Sequence, residues 1–210
     1  MSAASDMYFL GYVVKRVEAR PDWHKAAHVR AIASVSNCIS SEPEVKFDHW
    51  TFNGWGRYDT LAAALECLDF ISPPHRDKYT VFAHKLLTRR FVAGAAKEFA
   101  VPGWVGEFRP EPLPSDFQFL GYDCIGGSLG SPASETQAPM MPHFDCSPLS
   151  CNSMAETIAT NEWCLLSTKD EAERQAASFS TGVSHVEPGD YYVIEVWSRG
   201  EPVVNPPSRG

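Results

Sequence analysis

The chain has 210 residues, of which 44% are hydrophobic and 21% are charged, so it can form a buried core and is not expected to be disordered. Its 26 acidic and 18 basic residues give a net charge of −8, which disfavours nucleic acids and anionic membrane surfaces because both attract Lys and Arg. The first residues do not resemble a secretory signal and no run of about 20 apolar residues occurs, so we expect a soluble cytoplasmic protein.

Six cysteines are spread over the chain rather than grouped in a short disulfide framework. A chain of this length with many aromatic residues does not need disulfides for stability, and the cytoplasm keeps thiols reduced. We therefore expect free thiols, most of them buried as small apolar side chains. They are Cys38, Cys67, Cys124, Cys146, Cys151 and Cys164.

The first part of the chain predicts a strand, a variable segment, a second strand, a helix and a third strand. Residues 9–12 begin the first strand, and the variable segment 21–38 has apolar residues at a spacing of four, which predicts a helix. Three leucines in 59–68 follow an i, i+4, i+7 spacing, which predicts the next helix. Residues 50–52 and 79–82 are strand-like.

Residues 48–59 combine aromatic and charged side chains with turn glycines. Aromatic side chains bury much area while few rotatable bonds are frozen, so aromatic residues beside an Arg and turn glycines are typical of a binding surface. The alternative is a hydrophobic junction between a strand and the helix that follows it. The candidate binding residues are Trp50, Trp55, Arg57 and Tyr58.

Composition divides the chain into two units. Residues 1–101 form the first unit, and residues 102–116 are rich in Pro and Gly and are predicted to be a linker. Residues 117–200 form the second unit. The segment 201–210 is expected to be a frayed tail.

The second unit predicts a similar order of elements. A strand at 119–122 precedes a long loop at 126–148 that is rich in Gly, Pro and Ser. Thr168 followed by Glu171 is a capping-box pattern, which predicts the start of a helix. Alternating residues at 191–197 predict a half-buried strand after it.

The two units contain the same short motifs in the same order. Phe-Leu-Gly-Tyr occurs at 9–12 and again at 119–122, and later matches keep an offset between 110 and 113 residues. We therefore expect an internal duplication. The predicted fold class is α+β, with two related β-β-α-β-like units about a pseudo-two-fold axis, mixed or mainly antiparallel sheets, and a ligand cleft between the units.

The stretch from His143 to Cys151 has the most reactive combination of side chains. One hypothesis is an enzyme site between the units, with the catalytic candidates Cys146, Cys151, His143 and Asp123. A second is a zinc site, because zinc favours tetrahedral sulfur and nitrogen ligands, formed by Cys124, His143, Cys146 and Cys151. The alternative to both is a pair of buried cysteines beside a proline-bent turn.

The overall composition favours an acidic protein-binding or inhibitory function, of the immunity or regulatory type, because no complete catalytic motif is present. The expected partner is a protein with a basic surface, since complementary charge speeds association. The alternative is the enzyme with a site between the units, with zinc as its candidate cofactor. A third hypothesis is a sensor whose two units close on a small-molecule ligand.

Overall fold

The computed structural model describes residues 7–39, 41–43, 57–87, 89–92, 95–98, 113–128, 143–144, 146–151, 154–182 and 186–207. Its strands are β1 (Met7–Ala19), β2 (Ala31–Ile32), β3 (Tyr79–Leu87), β4 (Arg89–Val92), β5 (Ala95–Glu98), β6 (Phe117–Ser128), β7 (His143–Phe144), β8 (Tyr191–Arg199) and β9 (Val204–Asn205). Its helices are α1 (Leu61–Phe70), α2 (Pro73–Arg76), α3 (Pro148–Cys151) and α4 (Lys169–Ser180), with a 3-10 turn at Met154–Glu156.

Most strands join in one sheet, in which β1, β3, β8 and β6 are antiparallel neighbours in that order. β2 pairs antiparallel with the end of β1, β7 pairs antiparallel with the end of β6, and β9 runs parallel to β1. β4 and β5 form a separate two-stranded sheet. The described residues therefore combine helices with a mainly antiparallel sheet, and the predicted α+β class is confirmed. Among them, no helix combines the length and apolar character needed to cross a bilayer.

The two longer helices lie on one face of this sheet. α1 packs on Val81 and Ala83 of β3, and α4 packs on Cys124 of β6 and Val193 of β8. Successive strand residues point to opposite faces, so the alternate residues form a second core on the other face, which the segments 31–35 and 163–165 cover. The strand residues of that core are Leu10, Val13, Val17, Phe82, Leu86, Leu120, Ile125, Tyr192, Ile194 and Val196.

The pairing of β1 with β3 matches the pairing of β6 with β8 residue by residue. In both pairs the register shifts just before a glycine, so that Gly11 lies opposite His84 and Gly121 lies opposite Val196. The two glycines are 110 positions apart and their partners are 112 positions apart. When the same offsets are added to each of the remaining residue pairs between β1 and β3, the result is always a residue pair between β6 and β8. The two strand pairs therefore share one register and one irregularity.

The shared irregularity requires glycine. Gly11 has φ 119° and Gly121 has φ 149°, values that L side chains rarely adopt. A Cβ at Gly121 would also lie 2.7 Å from Leu165 Cβ and 2.8 Å from the Leu166 carbonyl oxygen. The glycine of the repeated tetrapeptide thus allows the second strand pair to approach its covering segment.

Both long helices begin with the same cap. The Thr60 hydroxyl accepts a hydrogen bond from the Ala63 backbone N–H, and the Thr168 hydroxyl accepts one from the Glu171 N–H. A threonine at this position satisfies one of the free N–H groups of the first turn. The start of α4 that Thr168 and Glu171 predict is confirmed.

The prediction of a helix at 21–38 is wrong. This segment forms turns and the short strand β2, and its backbone bonds to the second half of the chain. The N–H groups of Arg30 and Ala31 both donate to the Glu162 carbonyl oxygen, at 2.8 and 3.1 Å. Of the four apolar residues that suggested a helical stripe, Ala31 and Val35 are buried against the sheet, whereas Trp23 and Ala27 are exposed.

The end of the chain differs from the frayed tail that the sequence predicts, as far as residue 207. β9 pairs with β1, and Asn205 is buried beside it. The Asn205 side-chain amide donates to the carbonyl oxygens of Val17 at 2.9 Å and Lys78 at 2.8 Å. These bonds anchor the tail to the edge of the sheet.

Some predicted elements fall outside the described residues. They are the strand at 50–52, residues 102–112 of the linker, and residues 129–142 of the long loop. The structure does not test the predictions for these segments.

Candidate functional site

Three cysteine thiols meet on the side of the sheet opposite α1 and α4. The Sγ atoms of Cys38, Cys146 and Cys151 all lie within 4.8 Å of one another. Cys38 and Cys146 are in direct contact, with their sulfur atoms 3.5 Å apart. Cys38 is exposed, whereas Cys146 and Cys151 are half-buried. We call these three residues the thiol cluster.

A buried lysine holds the segment that carries Cys38. Lys15 on β1 is 1% exposed. Its ammonium group donates three hydrogen bonds, at 2.7, 2.9 and 2.8 Å, to the backbone carbonyl oxygens of Ser34, Val35 and Ser36. An ammonium group has three donors, so this arrangement satisfies all of them and fixes the turn just before Cys38.

A buried carboxylate joins the two segments that carry the thiols. One oxygen of Asp123 on β6 accepts hydrogen bonds from the Ser34 hydroxyl and the Val35 N–H, both at 2.8 Å. The other oxygen accepts a hydrogen bond from the Ser147 hydroxyl at 2.5 Å. Ser147 follows Cys146 directly, so Asp123 links the Cys38 segment to the Cys146 segment through one fixed group.

The second thiol segment is also tied to β6 through its backbone. The Gly126 N–H donates to the Cys146 carbonyl oxygen at 3.0 Å. The single-turn helix α3 then returns the chain, and the Cys151 N–H donates to the Ser147 carbonyl oxygen at 2.8 Å. This turn brings Cys151 back toward Cys146.

The three thiols differ in acidity. Burial by itself raises the pKa of Cys38, but the Ser36 hydroxyl, the neighbouring thiols and the Lys15 charge together bring it below its ordinary value. Burial and the nearby Cys38 raise the pKa of Cys146 to about 12. Burial also raises the pKa of Cys151. Cys38 is therefore the first thiol of the cluster to ionise.

The charged groups that hold the cluster have shifted pKa values of their own. Burial lowers the pKa of Lys15 to about 7, with a further contribution from the positive charge of Arg57. Burial raises the pKa of Asp123, although its three hydrogen bonds and Lys15 oppose the shift. Ionising either group alone is unfavourable here, and each favours the charged form of the other.

A second polar contact lies farther along the same face of the sheet. Arg57 is 6% exposed, and its Nε donates to His84 Nδ1 at 3.3 Å. Its Nη1 lies 3.7 Å from a carboxylate oxygen of Glu42. Burial and the Arg57 charge hold the pKa of His84 well below its ordinary value, so this histidine is a neutral acceptor.

The structure brings together only part of the predicted zinc site. Cys146 and Cys151 belong to the thiol cluster, and Asp123 supports it. Cys124 points to the opposite face, where its thiol donates to the Ala172 carbonyl oxygen at 3.4 Å under α4. The side chain of His143 lies outside the described residues.

Sequence reasoning did not include Cys38 in the site. It lies 108 positions before Cys146, and no local spacing connects the two. The sequence predicts that most of the thiols are buried as small apolar side chains. The structure instead places Cys38 and Cys146 in one cluster.

The predicted binding surface at 48–59 is only partly described. Trp50 and Trp55 lie outside the described residues. Arg57 and Tyr58 are 6% and 5% exposed, so they offer almost no surface to a partner. The protein-binding hypothesis stays a prediction, and these two residues do not support it.

A cavity of about 340 Å³ lies next to the Cys146 segment, at the end of β6. Gly126, Gly127 and the turn at 187–191 line it, and no thiol of the cluster is among these residues. The thiol cluster and this cavity are therefore separate features of the structure.

The chain was compared with family models, curated proteins and solved structures, and none of them matches it.

Proposed function

We propose that this protein binds a thiophilic metal ion, with zinc as the reference ion, through Cys38, Cys146 and Cys151. The observation that carries the proposal is the convergence of three sulfur atoms within 4.8 Å of one another. Cysteine thiolates are soft ligands and select Zn²⁺, Cu⁺ and similar ions over Mg²⁺ or Ca²⁺.

The distances suit such an ion. Zn–S bonds of about 2.3 Å in a tetrahedral site place two sulfur ligands about 3.8 Å apart. Cys38 and Cys146 have a sulfur separation of 3.5 Å, and the largest separation in the cluster is below 4.8 Å. Small rotations about the cysteine χ1 angles are enough to close the site on an ion.

The surroundings favour an anionic cluster that binds a cation. Lys15 and Asp123 fix the two thiol segments before any ion binds, which lowers the entropy cost of assembling the ligands. The Lys15 charge favours the Cys38 thiolate. Three thiolates and one divalent cation leave a net charge of −1, which the lysine partly balances.

Three protein ligands leave one position of a tetrahedral ion open. In zinc proteins an open fourth position is typical of catalytic sites, whereas four protein ligands are typical of structural sites. The enzyme hypothesis rests on this fourth position. The sequence-predicted ligand His143 is the candidate to fill it, and in that case the site is structural.

We also propose that the chain is an internal duplication whose two units meet along β3 and β8 about a pseudo-two-fold axis. The matched registers of the two strand pairs support this proposal. So does the pairing of β3 with β8, which is symmetric about the pair His84–Val196. The first unit then contributes Cys38 to the site, and the second contributes Cys146 and Cys151.

Cobalt binding tests the proposed function. The reduced protein is titrated with Co²⁺, which replaces zinc in thiolate sites and gives an intense sulfur-to-metal charge-transfer absorption. We expect this absorption to saturate at one equivalent of cobalt, and added Zn²⁺ to remove it. Cys38→Ser, Cys146→Ser and Cys151→Ser should each weaken or abolish it.

Cys124→Ala is the matched control, because it removes a thiol outside the cluster, on β6, that lies on the opposite face of the sheet. Binding should survive in this variant. Loss of the absorption in Cys124→Ala, together with its survival in Cys38→Ser, contradicts the proposal. A folded, reduced protein that gives no charge-transfer absorption also contradicts it.

A further inference from the structure

Two of the three thiols lie close enough together to form a disulfide bond. The Sγ atoms of Cys38 and Cys146 are 3.5 Å apart, whereas a disulfide bond is about 2.05 Å long. Closing the gap needs a movement of about 1.5 Å, which side-chain rotation supplies. The buried groups Lys15 and Asp123 hold the backbone segments on both sides at this separation.

We propose that Cys38 and Cys146 form a reversible disulfide by exchange with small disulfides, and that Cys151 remains a thiol. The exchange needs no metal. Its consequence for the ion rests on the proposed function: oxidation removes two of the three ligands, so the oxidised protein releases the metal.

Exposure decides which thiol reacts first. Cys38 is exposed, while Cys146 and Cys151 are half-buried. A small disulfide such as oxidised glutathione can therefore reach Cys38. It can place one of its sulfur atoms beside Cys38 Sγ, with its own S–S bond in line with the attack. The thiolate of Cys38 attacks that sulfur, a mixed disulfide forms at Cys38, and the first glutathione leaves as a thiolate.

The second step takes place within the protein. Cys146 loses its proton and attacks the Cys38 sulfur of the mixed disulfide. The Cys38–Cys146 bond forms, and the second glutathione leaves and takes up a proton. In total one disulfide is reduced to two thiols, and the two protein thiols are oxidised to one disulfide.

The neighbours of Cys151 explain why it is not the second partner. Its Sγ lies 3.7 Å from the Ser36 hydroxyl and 3.7 Å from the Ser150 hydroxyl, and either oxygen can take part in a hydrogen bond with it. Cys151 Sγ also lies within 4.8 Å of Cys38 Sγ, but it shares its contacts with the two serines, whereas Cys146 Sγ is in direct contact with Cys38 Sγ at 3.5 Å.

The test uses the reduced, metal-free protein in a series of glutathione redox buffers, followed by peptide mapping in a mass spectrometer. We expect one internal disulfide, Cys38–Cys146, in the wild type and in Cys151→Ser. Cys146→Ser should stop at the mixed disulfide on Cys38, with a lifetime longer by roughly 10-fold or more. Cys38→Ser should form neither species.

Two results overturn the inference. One is a Cys146→Ser variant that forms a Cys38–Cys151 disulfide as fast as the wild type forms its own. The other is a Cys38 that does not react in any buffer while the protein remains folded by circular dichroism.

Measuring cobalt binding by the oxidised and the reduced protein distinguishes this inference from the proposed function. The oxidised wild type should bind no cobalt, and reduction should restore binding. If the disulfide forms but the reduced protein never binds cobalt, the metal proposal fails and the exchange stands. If cobalt binds but no disulfide forms, the exchange fails and the metal proposal stands.

Discussion

The two strand pairs of the molecule, β1–β3 and β6–β8, have the same register. Their buried charged residues, however, lie at different register positions. Val13 of β1 and Asp123 of β6 occupy matching register positions. So do Lys15 of β1 and Ile125 of β6, two residues farther along. Each pair of positions thus holds one charged and one aliphatic residue, with the order reversed.

The two charges act on the same segment. Lys15 donates hydrogen bonds to the carbonyl oxygens of residues 34–36. Asp123 accepts hydrogen bonds from the N–H of Val35 and the hydroxyl of Ser34. The thiol cluster is therefore assembled by the residues in which the halves differ. The features that they share, the glycine irregularity and the threonine caps, form the sheet and helices beneath it.

The largest loss of stability is expected at Gly121, where an added Cβ has no space. Gly121→Ala places a Cβ 2.7 Å from Leu165 Cβ, at a backbone φ of 149°. The clash and the backbone strain together should lower the free energy of unfolding by about 4 kcal/mol. Urea denaturation measures this loss.

Gly182→Ala is the matched control, because its φ is 80° and nothing lies within 4 Å of an added Cβ. It carries the backbone strain alone, so its cost should be about 1–2 kcal/mol. Equal costs for the two variants would mean that the close approach at Gly121 does not exist in solution.

The second prediction concerns the pH dependence of metal binding, which depends mainly on the two thiols of the second half. The pKa of Cys146 is raised to about 12 and that of Cys151 is also raised, so both bind a proton near neutral pH and must lose it to a metal. Release of these two protons alone increases the apparent cobalt affinity by about 100-fold per pH unit between pH 6.5 and 7.5, and any proton released from Cys38 makes the slope steeper. Competition with a chelating dye at each pH measures the slope. An affinity that does not change with pH is incompatible with thiol ligands.

The third prediction removes the charge that links the two thiol segments. Asp123→Asn keeps the size of the side chain but replaces one acceptor oxygen by a donor, which faces the Ser147 hydroxyl or the Val35 N–H. We expect a loss of about 2 kcal/mol of unfolding free energy and about 10-fold weaker cobalt binding.

The control for this variant is Asp116→Asn, an exposed carboxylate paired with Arg199 at 2.7 Å. Surface pairs contribute little, so its effects should stay within about 0.5 kcal/mol and leave cobalt affinity unchanged. If Asp123→Asn behaves like this control, the carboxylate does not organise the cluster.

The smallest predicted effect concerns the caps that the halves share. Thr60→Ala and Thr168→Ala each remove one side-chain hydrogen bond to a first-turn N–H. Each should lower the unfolding free energy by about 1 kcal/mol, without a change in metal affinity. Thermal denaturation of both variants compares them, and a cost confined to one helix would weaken the equivalence of the halves.

The sequence predicted the parts of the fold that local patterns encode. Thr168 with Glu171 predicted the start of α4, and the repeated tetrapeptide located the strands that contain Gly11 and Gly121. The segment 21–38 was misjudged because apolar residues at a spacing of four suggest a helix, while its backbone hydrogen bonds go to residues far along the chain.

The candidate site was predicted in part for the same reason. Cys146, Cys151 and Asp123 were recognised because they lie close together in sequence or at a strand end. Cys38 and Lys15 join them only through tertiary contacts across the sheet, and a pattern in one sequence carries no record of such contacts. Cys124 was included because it neighbours Asp123, although alternate strand residues face opposite sides.

The central claim is that thiols from both halves of the chain bind one ion, and X-ray absorption of the zinc-loaded protein tests it most directly. We predict a zinc environment with three sulfur neighbours at about 2.3 Å, falling to two in Cys38→Ser. A wild-type spectrum dominated by oxygen or nitrogen neighbours, or a sulfur count that Cys38→Ser does not change, would contradict the account.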